Sequence, residues 1–128
     1  MYGKRSFRNT KKQWYTSGDR RYYLKSSWEI LYAEYLDSLL SKGKIVQWEY
    51  EPHTFWFENI KRGVRSYIPD FLVEYPNGRV EYHEVKGYLD PKSKTKLKRM
   101  AKYHPDISLK LIDRKVLDSL GLTSKKEK

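Results

Sequence analysis

Residues 67–88 read YIPDFLVEYPNGRVEYHEVKGY. Two β-rich runs flank Pro76-Asn77-Gly78. Proline fits the first corner of a type I turn, asparagine the second, and glycine the left-handed residue after it, which predicts a three-residue hairpin loop with a bulge at the glycine. That register pairs Tyr75 with Arg79 and, counting back, Asp70 with Glu84. Directly opposed residues leave the same face with β-carbons about 4.5–5.5 Å apart. Lys86, two residues beyond Glu84, shares that face. A two-residue Asn-Gly loop would instead shift the pairing by one and set Asp70 opposite Val85, and Pro69 is a place where a bulge would form.

Opposed carboxylates destabilise a strand pair unless something positive stands between them. Lys86 can supply that charge. A divalent cation fits more sharply, because Mg²⁺ commonly takes one or two carboxylates and completes its octahedron with water and phosphate oxygens. The plainer reading has Asp70 capping a strand end while Glu84 and Lys86 form a solvated ion pair. Spacing alone leaves both open.

The rest of the chain narrows the setting. Its 128 residues suit one domain, and 27 Lys+Arg against 16 Asp+Glu give a formal net charge of +11 and a pI near 9.7. Such an excess points to a polyanionic partner, nucleic acid first. With no cysteine, neither disulfides nor thiolate zinc sites can hold the fold. No apolar run approaches the ~20 residues that span a bilayer, and the basic N-terminus lacks the apolar segment of a signal peptide, so a cytoplasmic protein with no membrane partner is expected. No helix-turn-helix or zinc-finger spacing occurs, which argues against sequence-specific readout.

Residues 1–25 carry Lys4, Arg5, Arg8, Lys11, Lys12, Arg20, Arg21 and Lys25 against one acid, Asp19, with Trp14, Tyr15, Tyr22 and Tyr23 interleaved. They read as an extended basic arm, ahead of a domain over 26–121 and a basic tail over 122–128. SSWE offers a capping box, Ser26 as N-cap and Glu29 three residues on, that opens a helix running to about Leu40. Its apolar residues recur at three and four, and Gly43 closes it. IVQWEYE and HTFWFE read as strands separated by Pro52, followed by the two arms of the hairpin. Pro91 opens a strongly basic helix, KSKTKLKRMAKY, then ISLKLID alternates as a strand and RKVLDSLG closes as a short helix.

Pro69-Asp70, thirteen residues, then Glu84-Val85-Lys86 resembles the signature of the PD-(D/E)XK nuclease superfamily. The resemblance covers roughly residues 26–113. SSWE at 26–29, YLD at 35–37, WEYE at 48–51 and YIPDFLV at 67–73 are similar to its phage and transposon branches, which include transposon end-cleaving endonucleases and phage head-completion proteins. Small basic members of the superfamily include Holliday-junction resolvases. The resemblance implies an α/β fold with a restriction-endonuclease-like core, a mixed β-sheet flanked by helices in the order α-β-β-β-α-β. It implies a catalytic set of Glu29, Asp70, Glu84 and Lys86: Asp70 and Glu84 as metal-binding acids, and Lys86 as the lysine that orients or deprotonates the attacking water. Glu29 would be a first-helix acid completing the metal site, unless it serves only as a helix cap, in which case Glu34 is the substitute. Glu49 and Glu51 are further acids to consider, whereas His83 should leave the opposite face.

The function so implied is a Mg²⁺-dependent DNA endonuclease, with Mn²⁺ able to substitute, cutting branched DNA as a homodimeric Holliday-junction resolvase. The alternatives are a transposon-end or phage DNA-processing nuclease and, from a different class, a non-catalytic nucleic-acid-binding module. Expected DNA contacts are Arg5, Arg8, Lys11, Lys12, Arg20 and Arg21 on the arm and Lys94, Lys98, Arg99 and Lys102 on the basic helix. The arm's aromatic residues could either stack on exposed bases or pack on the domain. The aromatic faces around Trp48, Phe55 and Trp56 offer apolar area for a dimer.

Overall fold

A computed structural model describes residues 12–123. The described residues are mixed α/β, with three helices and a four-stranded mixed sheet at their centre. Strands β1 (Gln13–Ser17) and β2 (Arg20–Leu24) precede helix α1 (Ser27–Ser41). Then come β3 (Gln47–Tyr50), β4 (Phe55–Trp56), β5 (Ser66–Tyr67), β6 (Phe71–Glu74) and β7 (Val80–Val85), followed by α2 (Pro91–Tyr103), β8 (Leu109–Ile112) and α3 (Arg114–Ser119). The central sheet has the order β3-β6-β7-β8, antiparallel except for the parallel β7/β8 pair. Around that sheet the chain follows the expected order α1, β3, β6, β7, α2, β8, with β4 and β5 inserted as a separate two-stranded ribbon.

The β6/β7 hairpin has the three-residue register. Phe71 pairs with His83 and Glu74 with Val80, and the Tyr75 N–H donates to the Arg79 carbonyl at 2.9 Å. Gly78 takes φ +88°, the left-handed bulge position that favours glycine. Two expectations change nearby. SYIPDFLVEY is two strands, because Pro69 offers no N–H to a ladder and the chain breaks there. The strand expected over HTFWFE shrinks to Phe55–Trp56.

Strand alternation sorts the side chains. Trp48, Phe71, Val73, Val85 and Ile112 join Trp28, Leu31 and Leu36 of α1 in the main core, while Tyr67 packs with Phe57 and Met100 in a second cluster that includes α2. Ser26 caps α1, its Oγ accepting from the Glu29 N–H at 3.1 Å. The reciprocal half of the box is displaced by one residue: Glu29 Oε1 accepts from the N–H of Lys25, not of Ser26.

The largest departure is at the N-terminal side. From Gln13 onward the stretch read as an extended arm folds as a hairpin, turning at Gly18-Asp19, with Gly18 at φ +60° as a tight two-residue turn requires. Its inner face covers Trp48, with ring centroids 5.2 Å away for Tyr22 and 6.3 Å for Tyr15, and Leu24 is fully buried. Trp48, expected on an open face, is therefore interior. Asp37 fastens the hairpin, accepting from Tyr15 Oη at 2.5 Å, Ser17 Oγ at 2.6 Å and Trp48 Nε1 at 2.9 Å.

Asp37→Ala should therefore cost about 1–3 kcal/mol, since it strands a buried indole N–H together with two hydroxyls. Urea unfolding would read the loss. Trypsin should then cut faster at Arg20 and Arg21, and unchanged stability with unchanged cutting would show that the clasp contributes nothing.

Candidate active site

The site lies where the start of β6, the end of β7 and the N-terminus of α1 converge. Asp70 directly precedes β6 and continues its register opposite Glu84 of β7. Glu84 Oε1 accepts from the Asp70 N–H at 3.2 Å, and Asp70 Oδ2 accepts from the Val85 N–H at 2.8 Å. Glu84 thus holds the backbone of Asp70, and Asp70 holds that of Val85, the residue after Glu84. Glu29 enters from the first turn of α1, and all three line one cleft of about 420 Å³ with Glu51, Lys25, Lys86 and Lys96.

Each of these carboxylates has one oxygen engaged and one open. Tyr67 Oη donates to Glu84 Oε1 at 2.6 Å, and Tyr50 Oη donates to Glu29 Oε1 at 2.7 Å. Burial and the adjacent carboxylates push both phenols far up, so they remain protonated donors. Glu84 Oε2, Asp70 Oδ1 and Glu29 Oε2 make no hydrogen bond among the described residues.

Electrostatics sets these acids apart. Burial, then the charges of Glu84 and Glu29, raise the Asp70 carboxyl well above its ordinary value. Burial likewise raises Glu84 and Glu29, although the phenol and backbone donors pull the other way. Among the described residues none of the three forms an ion pair. Lys86 lines the cleft and lowers the Glu84 carboxyl through its charge, without contact at ion-pair distance.

Glu81, two residues along β7 from His83, provides an internal comparison. It is 1% exposed, yet it receives Tyr75 Oη at 2.9 Å, His83 Nε2 at 2.9 Å, the Lys110 ammonium at 3.4 Å and the Arg79 guanidinium. Burial alone would raise its carboxyl; those partners outweigh it and bring it down to about 2. This is how a buried acid is stabilised when its role is structural. Asp70, Glu84 and Glu29 have hydrogen-bond donors but no cation at ion-pair distance among the described residues, and perturbed acids in a cleft make a functional-site candidate.

The donor set suits a hard cation: oxygen ligands only, charge in excess, and open carboxylate atoms. Among the described residues no three His, Cys, Asp or Glu groups form a ready-made metal cluster. Two carboxylates suffice for Mg²⁺, which dehydrates reluctantly and retains water.

Backbone strain accompanies the cleft. Glu51 sits at φ +48° immediately before Pro52, where a residue is ordinarily extended. Its N–H donates to the Asp70 carbonyl at 2.7 Å, and its carboxylate meets Lys25 Nζ at 2.8 Å. Lys25, Tyr50, Tyr67 and Lys96 had no signal in the sequence that tied them to the site.

The remaining expected residues are dispersed. Glu34 is exposed on α1 and does not line the cleft, and neither does half-buried Glu49 on β3. His83 does leave the opposite face, bonded through Nδ1 to Tyr32 Oη at 2.7 Å. Lys94, Lys98 and Lys102 are exposed along α2. Arg99 differs from its expected role, because its guanidinium is turned inward onto the Val64 carbonyl. Lys12, Arg20 and Arg21 are exposed on or beside the hairpin, while Arg5, Arg8 and Lys11 lie outside the described residues. No helix among the described residues is long and apolar enough to cross a membrane.

A protein-family model described as "Protein of unknown function (DUF1064)" matches residues 6–119. No curated protein matches the chain.

Proposed function

We propose that the chain, which belongs to the DUF1064 family, is a Mg²⁺-dependent endonuclease that hydrolyses phosphodiester bonds in branched DNA. The observation that carries this reading is a trio of acids, Asp70 and Glu29 buried and Glu84 half-buried, each with a free oxygen, sharing one lysine-rimmed cleft. The similarity of Asp70, Glu84 and Lys86 to the PD-(D/E)XK signature supports it, as does the α-β-β-β-α-β order that a restriction-endonuclease-like core would require.

Asp70 and Glu84 would hold the ion, with Glu29 on the same cleft. When bound, Mg²⁺ supplies Lewis-acid polarisation of a phosphoryl oxygen and acidifies a nearby water. The chain's own residues do the rest. Tyr67 and Tyr50 fix the carboxylates in orientation. Lys86 offsets charge that develops on the scissile phosphate, and Lys25 and Lys96 flank the same cleft. Lys94, Lys98 and Lys102 form an i, i+4 row whose mutual repulsion a DNA backbone would relieve. Symmetric incision of a four-way junction needs two such clefts, hence a homodimer. Of the three aromatic residues expected to serve that contact, Trp56, 63% exposed, is the one that stands open.

The test is Mg²⁺-dependent nicking of a labelled four-way junction beside a linear duplex, with Mn²⁺ and EDTA arms. The wild type should cut the junction in preference, and Glu84→Gln should cut roughly 10²–10⁴-fold more slowly, the range for losing a group that activates the attacking water. The exposed lysine row of α2 and the exposed cations of the N-terminal hairpin favour a second reading, a module that binds nucleic acid without chemistry. Tight junction binding with no incision under either metal would select it.

A further inference from the structure

Among the described residues the outer face of the N-terminal hairpin packs against no other element. Trp14 and Tyr23 are directly opposed in the β1/β2 register, 54% and 47% exposed, with ring centroids 5.2 Å apart. The Arg21 guanidinium lies 4.4 Å over the Trp14 ring. The inner residues Tyr15, Tyr22 and Leu24 already satisfy the core, so packing within the described fold does not require the outer pair to be aromatic. Lys12, Arg20 and Lys25 are exposed nearby, with Asp19 at the tip as the hairpin's acid.

We propose that Trp14 and Tyr23 form a stacking platform for unpaired bases of a DNA strand whose neighbouring phosphate occupies the acid cleft. Three features favour that occupant. Paired aromatic faces beside cations match the stacking and backbone attraction that single strands offer, whatever their sequence. The local charge is strongly positive, which suits a polyanion better than an apolar or basic protein surface. The hairpin also leads into the site: β2 runs from Arg20 to Leu24, and Lys25, the next residue, lines the cleft and pairs with Glu51. At about 3.3 Å per residue, Tyr23 lies roughly 7 Å along the strand from Lys25. A base flanking the scissile position therefore reaches the platform only where it is free of its complement. The inference deepens the nuclease reading by defining the substrate as DNA with unpaired bases next to the cut.

The test is binding in EDTA, where no cleavage occurs, using a labelled duplex bearing a single-stranded branch and the same duplex fully paired. Trp14→Ala and Tyr23→Ala should each weaken binding to the branched DNA by about five- to a hundredfold, the range for losing one base–aromatic stack. Trp14→Phe should retain most of the affinity, and the paired duplex should change less than about twofold. Unfolding midpoints equal to wild type would show that these exposed positions leave the fold intact. Equal losses on both DNAs would mean a backbone contact and overturn the platform. Undiminished binding would also overturn it, whether or not the variants alter self-association and so mark the face as a contact between copies. Because catalysis is silent in this assay, platform and nuclease fail separately. A chain that grips branched DNA through Trp14 yet never cuts removes only the nuclease, and one that cuts while indifferent to Trp14→Ala removes only the platform.

Discussion

Asp70→Asn is expected to reduce Mg²⁺-dependent cleavage roughly 10²–10⁴-fold, the range for removing a group that serves the attacking water, while making the metal-free protein more stable. The two effects share a cause. Asp70 is 6% exposed and faces Glu84 without a cation at ion-pair distance among the described residues, so burial and like charge raise its carboxyl well above 3.8. An acid whose pKa is raised by folding prefers the unfolded chain when ionised. The penalty is therefore present above the raised value and disappears as pH falls through it toward the unfolded value. Asparagine carries no such charge, and its side-chain oxygen can still accept from the Val85 N–H. Replacing a functional group of this kind commonly returns about 0.5–2 kcal/mol.

Thermal unfolding in EDTA should consequently place Asp70→Asn above wild type at alkaline pH, with the gap closing as pH falls toward about 4. Added Mg²⁺ or Mn²⁺ should raise the wild-type midpoint through linkage and leave the variant nearly unmoved. A variant less stable than wild type at every pH would mean that the carboxylate is a structural cap, the plainer role that spacing alone allowed.

The second large effect is expected at Gly87, the residue after Lys86. A β-carbon placed there would stand 2.2 and 2.6 Å from two carbons of the Trp28 ring, closer than side chains pack. Trp28, in the first turn of α1, is 6% exposed and packed in the core, so it has little freedom to retreat. Gly87→Ala should thus cost about 1–3 kcal/mol by overpacking. It should also displace Lys86, lowering cleavage more than the stability loss explains at temperatures where the variant is folded. Trp28→Leu removes the ring atoms in question. Combined with Gly87→Ala it should cost clearly less than the sum of the two single changes, a non-additivity that chemical denaturation can measure. Strict additivity would exclude the contact as the reason for glycine.

The hairpin that sets the acids opposite one another was legible because its signals are local. Pro76-Asn77-Gly78 dictates loop length, loop length dictates register, and register alone brings Asp70 to Glu84. Helix α1 was legible for the same reason, through Ser26 and its apolar period. The β1/β2 hairpin was not. Trp14-Tyr15 and Tyr22-Tyr23 place an aromatic residue on each face, which erases the inside–outside alternation by which a half-buried strand is recognised. The Gly18-Asp19 turn was the available clue. At the site, Glu29's dual place as cap neighbour and cleft acid stayed ambiguous, because only tertiary packing decides that its oxygen turns to Lys25 and Tyr50. Tyr67 and Lys96 reach the cleft from β5 and α2, and no spacing rule connects them to Glu84. Glu51 reads as an ordinary pre-proline residue, and its left-handed backbone follows from the tie to Asp70.

The exposed loop at Pro76-Asn77-Gly78 also makes alignment vulnerable from afar. It stands at the other end of the hairpin from Asp70 and Glu84, about 15–20 Å away at 3.3 Å per residue. Deleting one loop residue would slide β7 by a single step, and every β7 side chain would change faces. Glu84 would rotate toward the tightly packed interior, His83 or Val85 would arrive where the acid had been, and the salt-linked Glu81 would be pulled out of its nest. A surface turn of this kind ordinarily accepts insertions and deletions freely, but here its length works as a vernier for chemistry at the distant end. Selection on this loop should tolerate changes of residue far more readily than changes of count.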